Sequence, residues 1–472
     1  MSQLILVLLL FAAIPQFASS VESSNNNNNT VVNANTTTST AHCITYDPSS
    51  RLLSIACGSV NLTDLYNSLK KPQQAIIKEE QQQKPSSSSM KVWILNANLV
   101  IENAATLFIN TTDTSWLKIN STTGDAYHIQ AKGNLIIDSS KITSWDTNKN
   151  NYGKARVGDS IIPRSYIVVK DGTGMTNITN SEIAYLGYPH VDSFGLTYYT
   201  GAGSIIKNNK IHDLWYGFYS TGEYAYNITI QNNDFYRNNI YGLDPKSGAH
   251  GLIISNNRVF ENGKFGIICS VDCRNIVIED NKVYNNDGGG IMLHRNMSNS
   301  FIRNNIIYDN KEDQILIQDS SYHNEIYGNN IKGGKYGIRV TQESEKNNIH
   351  NNAIANSLNY GIYVLGGASD NVFTSNTISN ALGYALYIRD PNTNNNTFKN
   401  NLLLKSEEQQ QPIRISNLGD SRAIIYNNTM LTTLSHGGFN ISSTSLIILI
   451  IAIVLIIIGL SLYLRRRRLH KS

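Results

Sequence analysis

The run Tyr241-Gly242-Leu243-Asp244-Pro245-Lys246-Ser247-Gly248-Ala249-His250 places a phenol, a carboxylate, an ammonium and an imidazole close together in the chain. Each of these side chains can do acid–base or ionic work. Pro245 falls where the surrounding pattern calls for a strand, and a proline cannot donate to a strand ladder. A local break of this kind marks either function or the edge of a bulge. A second ionisable pair, His294-Arg295, follows a similar strand-like segment that starts at Ile291.

The elements that position these residues are periodic. An Asn pair or near equivalent recurs at Asn208-Asn209, Asn232-Asn233, Asn256-Asn257, Asp280-Asn281, Asn304-Asn305, Asn329-Asn330, Asn351-Asn352, Ser375-Asn376 and Asn400-Asn401, in steps of 22 to 25 residues. A strand motif keeps the same beat: YGFYST at Tyr216, YGLDPK at Tyr241, FGIICS at Phe265, GGIMLH at Gly289, DQILIQ at Asp313, YGIRVT at Tyr336, YGIYVL at Tyr360 and YALYIR at Tyr384. Alternate positions are mostly apolar, as in Ile267 and Cys269 or Ile291 and Leu293, which is the period of a strand with one buried face. Short strands, Asn and Gly corners and the lack of a helical pattern exclude leucine-rich and helical solenoids. The expected fold class is all-β, a right-handed parallel β-helix of coils of about 24 residues with three strands each, stacked ~4.8 Å apart. Asn suits the corners because it tolerates left-handed backbone angles, and stacked Asn side chains can bond from coil to coil.

In such a stack, residues one coil apart become neighbours. One outward column is then Tyr219, Asp244, Ile268, Met292, Leu316, Arg339, Tyr363 and Tyr387; the next is Thr221, Lys246, Ser270, His294, Gln318, Thr341, Leu365 and Arg389. Mixed tyrosines and cations on a long flat face suit sugar rings and carboxylates. An ordinary solvated sheet face is the plainer reading. His294 is expected two coils from Lys246, ~10 Å away.

The ends are of another kind. Residues 446–464 form an uncharged apolar run, at ~1.5 Å per residue close to the length that crosses a ~30 Å hydrocarbon core. Arg465, Arg466, Arg467, Arg468 and Lys471 follow, a tail (465–472) that stays in the cytoplasm and leaves the rest of the chain outside the cell. The chain's net charge is +4, and this tail alone carries five positive charges, so the remainder is about −1 and gives no reason to expect a nucleic-acid partner. Residues 1–20 have the short apolar core and small-residue end of a signal peptide. Residues 21–40 read as an Asn/Thr/Ser-rich spacer, 41–125 as an N-terminal cap with first strands, 126–431 as the β-helix and 432–445 as a linker to the membrane. Within the cap, a helix is expected near Leu62–Glu80, kinked or split by Pro72, with a Gln/Ser-rich loop after it. Cys43 and Cys57 flank two short strands and are candidates for a disulfide outside the cell; Cys269 and Cys273 are a weaker pair. No zinc-like spacing occurs, no metal or other cofactor is assigned, and a calcium requirement and the oligomeric state stay open.

The run from Tyr241 to Ser270, YGLDPKSGAHGLIISNNRVFENGKFGIICS, resembles the segment around the Asp-Pro-His motif of mannuronan C5-epimerases, especially the periplasmic alginate-modifying kind. The segments from Val92 (VWILNANLVIENAATLFIN), from Arg164 (RSYIVVKDGTGMTNITNSEIAYLGYPHVDSFGLTYYTG) and at Ile291 (IMLHRN) are similar to that family in the same order. The resemblance implies an enzyme on an anionic polysaccharide, one that removes the C5 proton of a uronate within the polymer and returns a proton to the opposite face. It implies Tyr241 as a proton-transfer group, with a phenol acidified by Lys246. Asp244 would orient or polarise the site, and Lys246 or Arg295 would neutralise the substrate carboxylate. His250, His294 and Tyr219 are the further substrate-binding candidates. The chain departs from the family where Lys246 replaces the His after Asp-Pro, where Asn239 stands for a His before Tyr241, and where Val271 stands for an Arg. Two other functions are compatible with the scaffold: a polysaccharide lyase, which shares the C5 abstraction, and a non-catalytic carbohydrate-binding or cell-envelope protein.

Overall fold

Alternating apolar residues bury one side of each short strand, and stacking neighbours is the only way such strands can pair fully. In the computed structural model, which describes residues 43–80, 90–122, 125–405, 413–415 and 423–432, each coil supplies three strands to three sheets of 15, 14 and 17 strands. Successive coils pair in parallel and in register: Ile267 with Ile291, Ile291 with Ile315, Ile315 with Ile338 and Ile338 with Ile362. These residues, together with the equivalent Ile254, Ile278, Ile302 and Ile326 of the second sheet and Val259, Val283, Ile307 and Ile331 of the third, form one continuous apolar core. Each such buried side chain contributes about 1.5–3 kcal/mol.

The corners explain the Asn repeat. The first member of each pair takes left-handed angles, as at Asn208 (φ 59°), Asn232 (57°) and Asn256 (56°). The second member is buried and forms a ladder. Asn233 donates both its backbone N–H (2.9 Å) and its Nδ2 (3.0 Å) to Oδ1 of Asn257, while its Nδ2 also donates to the Ile206 carbonyl. The ladder runs from Asn209 to Asn428. At one coil the left-handed residue is Gly328 and the ladder member is Asn329, so the structural pair sits one residue before the expected Asn329-Asn330. Two further ladders went unrecognised in the sequence: Asn238–Asn262–Asn286–Asn310, ended by Gln314, and Asn324–Asn347–Asn371–Asn396.

Parallel stacking is already present in the region read as a cap with first strands, where Leu52–Ile55 pairs in parallel with Asn98–Ile101. The end of the core is closed by a short α-helix, Leu62–Ser68, whose Leu62 and Leu65 are buried. Asn61 and Asp64 form a reciprocal capping box at its start. Pro72 lies at the start of a separate 3-10 turn, Lys71–Ile76, and residues 77–79 return to strand. Cys43 and Cys57 are disulfide-bonded across an antiparallel hairpin whose turn is held by Asp47, which accepts bonds from Ser49 and Ser50. Cys269 and Cys273 are buried free thiols. The signal segment 1–20, the spacer 21–40, the Gln/Ser-rich loop at Gln81–Ser89, all but the first residue of the 432–445 linker, the apolar run 446–464 and the basic tail lie outside the described residues. Among the described residues no helix is long and apolar enough to cross a membrane.

Candidate active site

The outer face of the first sheet carries the site, because strand Leu243–Lys246 turns Asp244 and Lys246 outward while Leu243 enters the core. The columns fall as the repeat requires: Tyr219 pairs with Asp244, Lys246 with Ser270, Ser270 with His294, and Ile268 with Met292. Pro245 occupies the rung opposite Ser220. Lacking an N–H, it leaves a gap in donation toward the next coil, and its carbonyl accepts instead from the Cys273 thiol at 3.4 Å.

The first column is not a solvated face. Ile268, Met292 and Leu316 form a small apolar cluster separate from the main core, covered from one side by Tyr241 and Phe265. Asp244 is 3% exposed and accepts a 2.7 Å bond from Ser270 Oγ. Burial pushes its carboxyl up to about 7, against the opposing pull of the Ser270 bond and the Lys246 charge. Tyr241 is half-buried and stacks on Tyr216, with ring centroids 5.5 Å apart. Its phenol is raised by burial and then by the neighbouring Asp244, so the expected acidification by Lys246 is reversed.

Across the apolar floor from Tyr241 lie Lys246 and His294. His294 Nε2 is 2.7 Å from Asp319 Oδ2, and its Nδ1 is buried with no hydrogen-bond partner among the described residues. Burial lowers the imidazole, Asp319 opposes this, and the Arg295 and Lys246 charges add to the lowering. The ring is therefore neutral near pH 7, and a neutral ring whose Nε2–H faces Asp319 carries its lone pair on Nδ1.

These groups share one cleft of about 480 Å³, lined by Tyr216, Tyr241, Asp244, Lys246, Lys264, Phe265, Ile268, Ser270, Val271, Gly288, Met292, His294 and Arg295. It continues over the sheet corner into a hollow of about 570 Å³ that shares Val271 and Arg295 and adds Asp319 and Glu343. Five of the candidate residues thus meet: Tyr241, Asp244, Lys246, His294 and Arg295. Two do not line the cleft. Tyr219, 8% exposed, is packed between Phe194 and Tyr216 in the coil before Asp244. His250 lies past the left-handed Ser247 at the next corner, where it stacks on Tyr226 at 5.2 Å and its Nδ1 faces the Gly248 carbonyl. Asp319 and Lys264 were not singled out in the sequence. Asp319 follows the His294 column by one residue, and the register alone points to it once its left-handed turn (φ 53°) is known.

Comparison with known proteins places this geometry on a known scaffold. No curated protein matches the sequence. The periplasmic alginate epimerase AlgG is similar in structure, with a TM-score of 0.64 and 23% identity over 80% of this chain and 85% of that one. The A-module of mannuronan C-5 epimerase AlgE4 from Azotobacter vinelandii has a TM-score of 0.51 and 15% identity over 72% of this chain and 89% of its own. The model for the right handed beta helix region matches residues 97–270, 165–331 and 336–449. With coils, corners and sheets in agreement with that match, the chain belongs to the right-handed β-helix family.

Proposed function

We propose that the protein is a C5-epimerase of an anionic polyuronate of the mannuronan type, held at the cell surface by residues 446–464. The observation that carries this reading is the make-up of the cleft: Tyr241 packs on the Ile268–Met292 floor, and His294, Lys246 and Arg295 line the same cleft. Epimerisation needs a base and an acid on opposite faces of one sugar ring.

His294, its ring turned so that a nitrogen now buried or paired with Asp319 faces the sugar, takes the C5 proton, and the C–H electron pair moves into the carboxylate as an enediolate. Lys246 and Arg295, both lining the cleft, neutralise the second negative charge that develops there. Tyr241 delivers its proton to the other face of C5, which inverts the centre. Its raised phenol fits a donor better than a base. A proton from solvent then restores Tyr241, and His294 releases its own. Asp319 faces the imidazole and raises its basicity. Lys246, where the resemblance implies a His, is charge rather than base in this scheme.

That same replacement favours a second reading, a carbohydrate-binding protein on an epimerase-like scaffold. Polymannuronate incubated with the purified full chain and followed by proton NMR separates the possibilities. New guluronate signals support the epimerase. Unsaturated chain ends identify a lyase, and bound but unaltered polymer identifies a binding protein.

A further inference from the structure

Further along the same face, the apolar column changes character. After Ile268, Met292 and Leu316 it continues as Arg339, Tyr363, Tyr387 and Arg414, each in register with the last. Beside it stand Tyr336, Tyr360 and Tyr384. The five tyrosines pack on one another outside the main core. Tyr363 and Tyr387 stack at 5.2 Å and 1°, and Tyr360 meets them edge-on at 5.0 Å and 4.8 Å. Tyr336 and Tyr384 flank Tyr360 at 5.7 Å and 5.8 Å.

Two guanidiniums lie on this array. Arg339 sits 5.2 Å from the Tyr336 ring and pairs with the buried Asp313 at 2.6 Å. Arg414 lies 5.4 Å from the Tyr384 ring and 5.5 Å from the Tyr387 ring, and its Nη1 donates to the Tyr384 hydroxyl at 2.9 Å. Arg414 has no carboxylate partner among the described residues. A cation fixed on aromatic rings beside phenol hydroxyls is a ready site for a carboxylate on a sugar. The rings hold one another in place, so little side-chain freedom is lost on binding.

We propose that this Tyr–Arg surface is a second, non-reacting subsite for the same acidic polysaccharide, engaging uronate residues several units along from the one in the cleft. It rests on the reading of the substrate as a polyuronate. Tyr363 stands three coils past Met292, ~14 Å along the stack, on a continuous face. A chain seated in the cleft and running along that face reaches it; a disaccharide does not. The surface would therefore select for polymer length without touching the reacting sugar.

The test measures the affinity of the full chain for polymannuronate and for a mannuronate disaccharide by calorimetry, in wild type and in Arg414→Gln and Tyr384→Ala. The expected result is a preference for polymer that falls about tenfold in each variant. Far-UV circular dichroism unchanged from wild type shows that the variants fold. A preference unchanged by both substitutions overturns the subsite, as does a wild type that binds both ligands equally. The outcomes separate from those for the cleft: polymer binding that depends on Arg414 without epimerisation keeps the subsite and removes the enzyme, and epimerisation with an Arg414-independent preference does the reverse.

Discussion

Asp244→Asn is expected to stabilise the protein at neutral and alkaline pH and to leave it nearly unchanged in acid. Burial raises the Asp244 carboxyl from 3.8 to about 7 in the folded state. A carboxyl with a raised folded value holds its proton more tightly when folded than when unfolded, so ionisation opposes folding. Below about pH 4 both states are protonated and nothing is lost; between about pH 4 and 7 stability falls; above that the full cost is present. A rise of about three units at 1.36 kcal/mol each makes that cost about 4 kcal/mol, as an order of magnitude. Asparagine keeps the shape and still offers Oδ1 to Ser270, but it cannot ionise. Because long repeat arrays do not unfold as one unit, the suitable assay is native-state hydrogen exchange read on peptides spanning residues 241–270. The opening free energy of the variant should exceed that of wild type by several kcal/mol at about pH 8, with the difference vanishing toward about pH 4. A difference that does not change with pH, or that grows toward acid, refutes the reasoning.

Three further outcomes follow from the same geometry. Asn257→Ala strips partners from Asn233 and from the Ile230 carbonyl inside the main ladder, and should cost about 3 kcal/mol or more, whereas Asn428→Ala at the less buried ladder end should cost less; exchange protection of the flanking coils reads both. Asp319→Asn removes the anion that raises His294, so the imidazole titrates lower and the acid limb of the kcat profile should move to lower pH; a limb that stays or moves up removes Asp319 from the account. Alkaline carbonate should leave the full chain in the membrane pellet and release a chain truncated before residue 446; release of both contradicts the anchor.

The stack was legible in the sequence because its period is carried by residue types with a single structural use: Asn at left-handed corners and β-branched residues inside. The ladder was placed one residue late at Gly328-Asn329, since glycine takes the left-handed position there and a neighbouring Asn330 imitates the pair. The Asn238 and Asn324 ladders escaped because their members keep no constant pair: Asn238, Asn286, Asn347 and Asn396 have an Asn neighbour, whereas Asn262, Asn310, Asn324 and Asn371 have none. Alternation separates core from outside, but it does not say whether another side chain covers the outside. That is why the column of Asp244 and Met292 was placed outward without its burial, although Asp244 is buried and Tyr241 and Phe265 pack on the Met292 cluster. Residues on strands were located well by register, as with Lys246 and His294. Residues past a left-handed turn were not: the turn at Ser247 carries His250 away from the cleft, and the one at Asp319 swings its carboxylate back onto His294. The reversed direction of the Tyr241 phenol has the same origin: its own burial leads and the neighbouring Asp244 adds to it, and both are properties of packing.

The most direct measurement is wash-in of deuterium at C5. Polymannuronate in deuterated water with the wild-type chain should give guluronate residues bearing deuterium at C5, and His294→Asn and Tyr241→Phe should each abolish that signal while the polymer still binds. Deuterium incorporation at the wild-type rate in both variants would contradict the account.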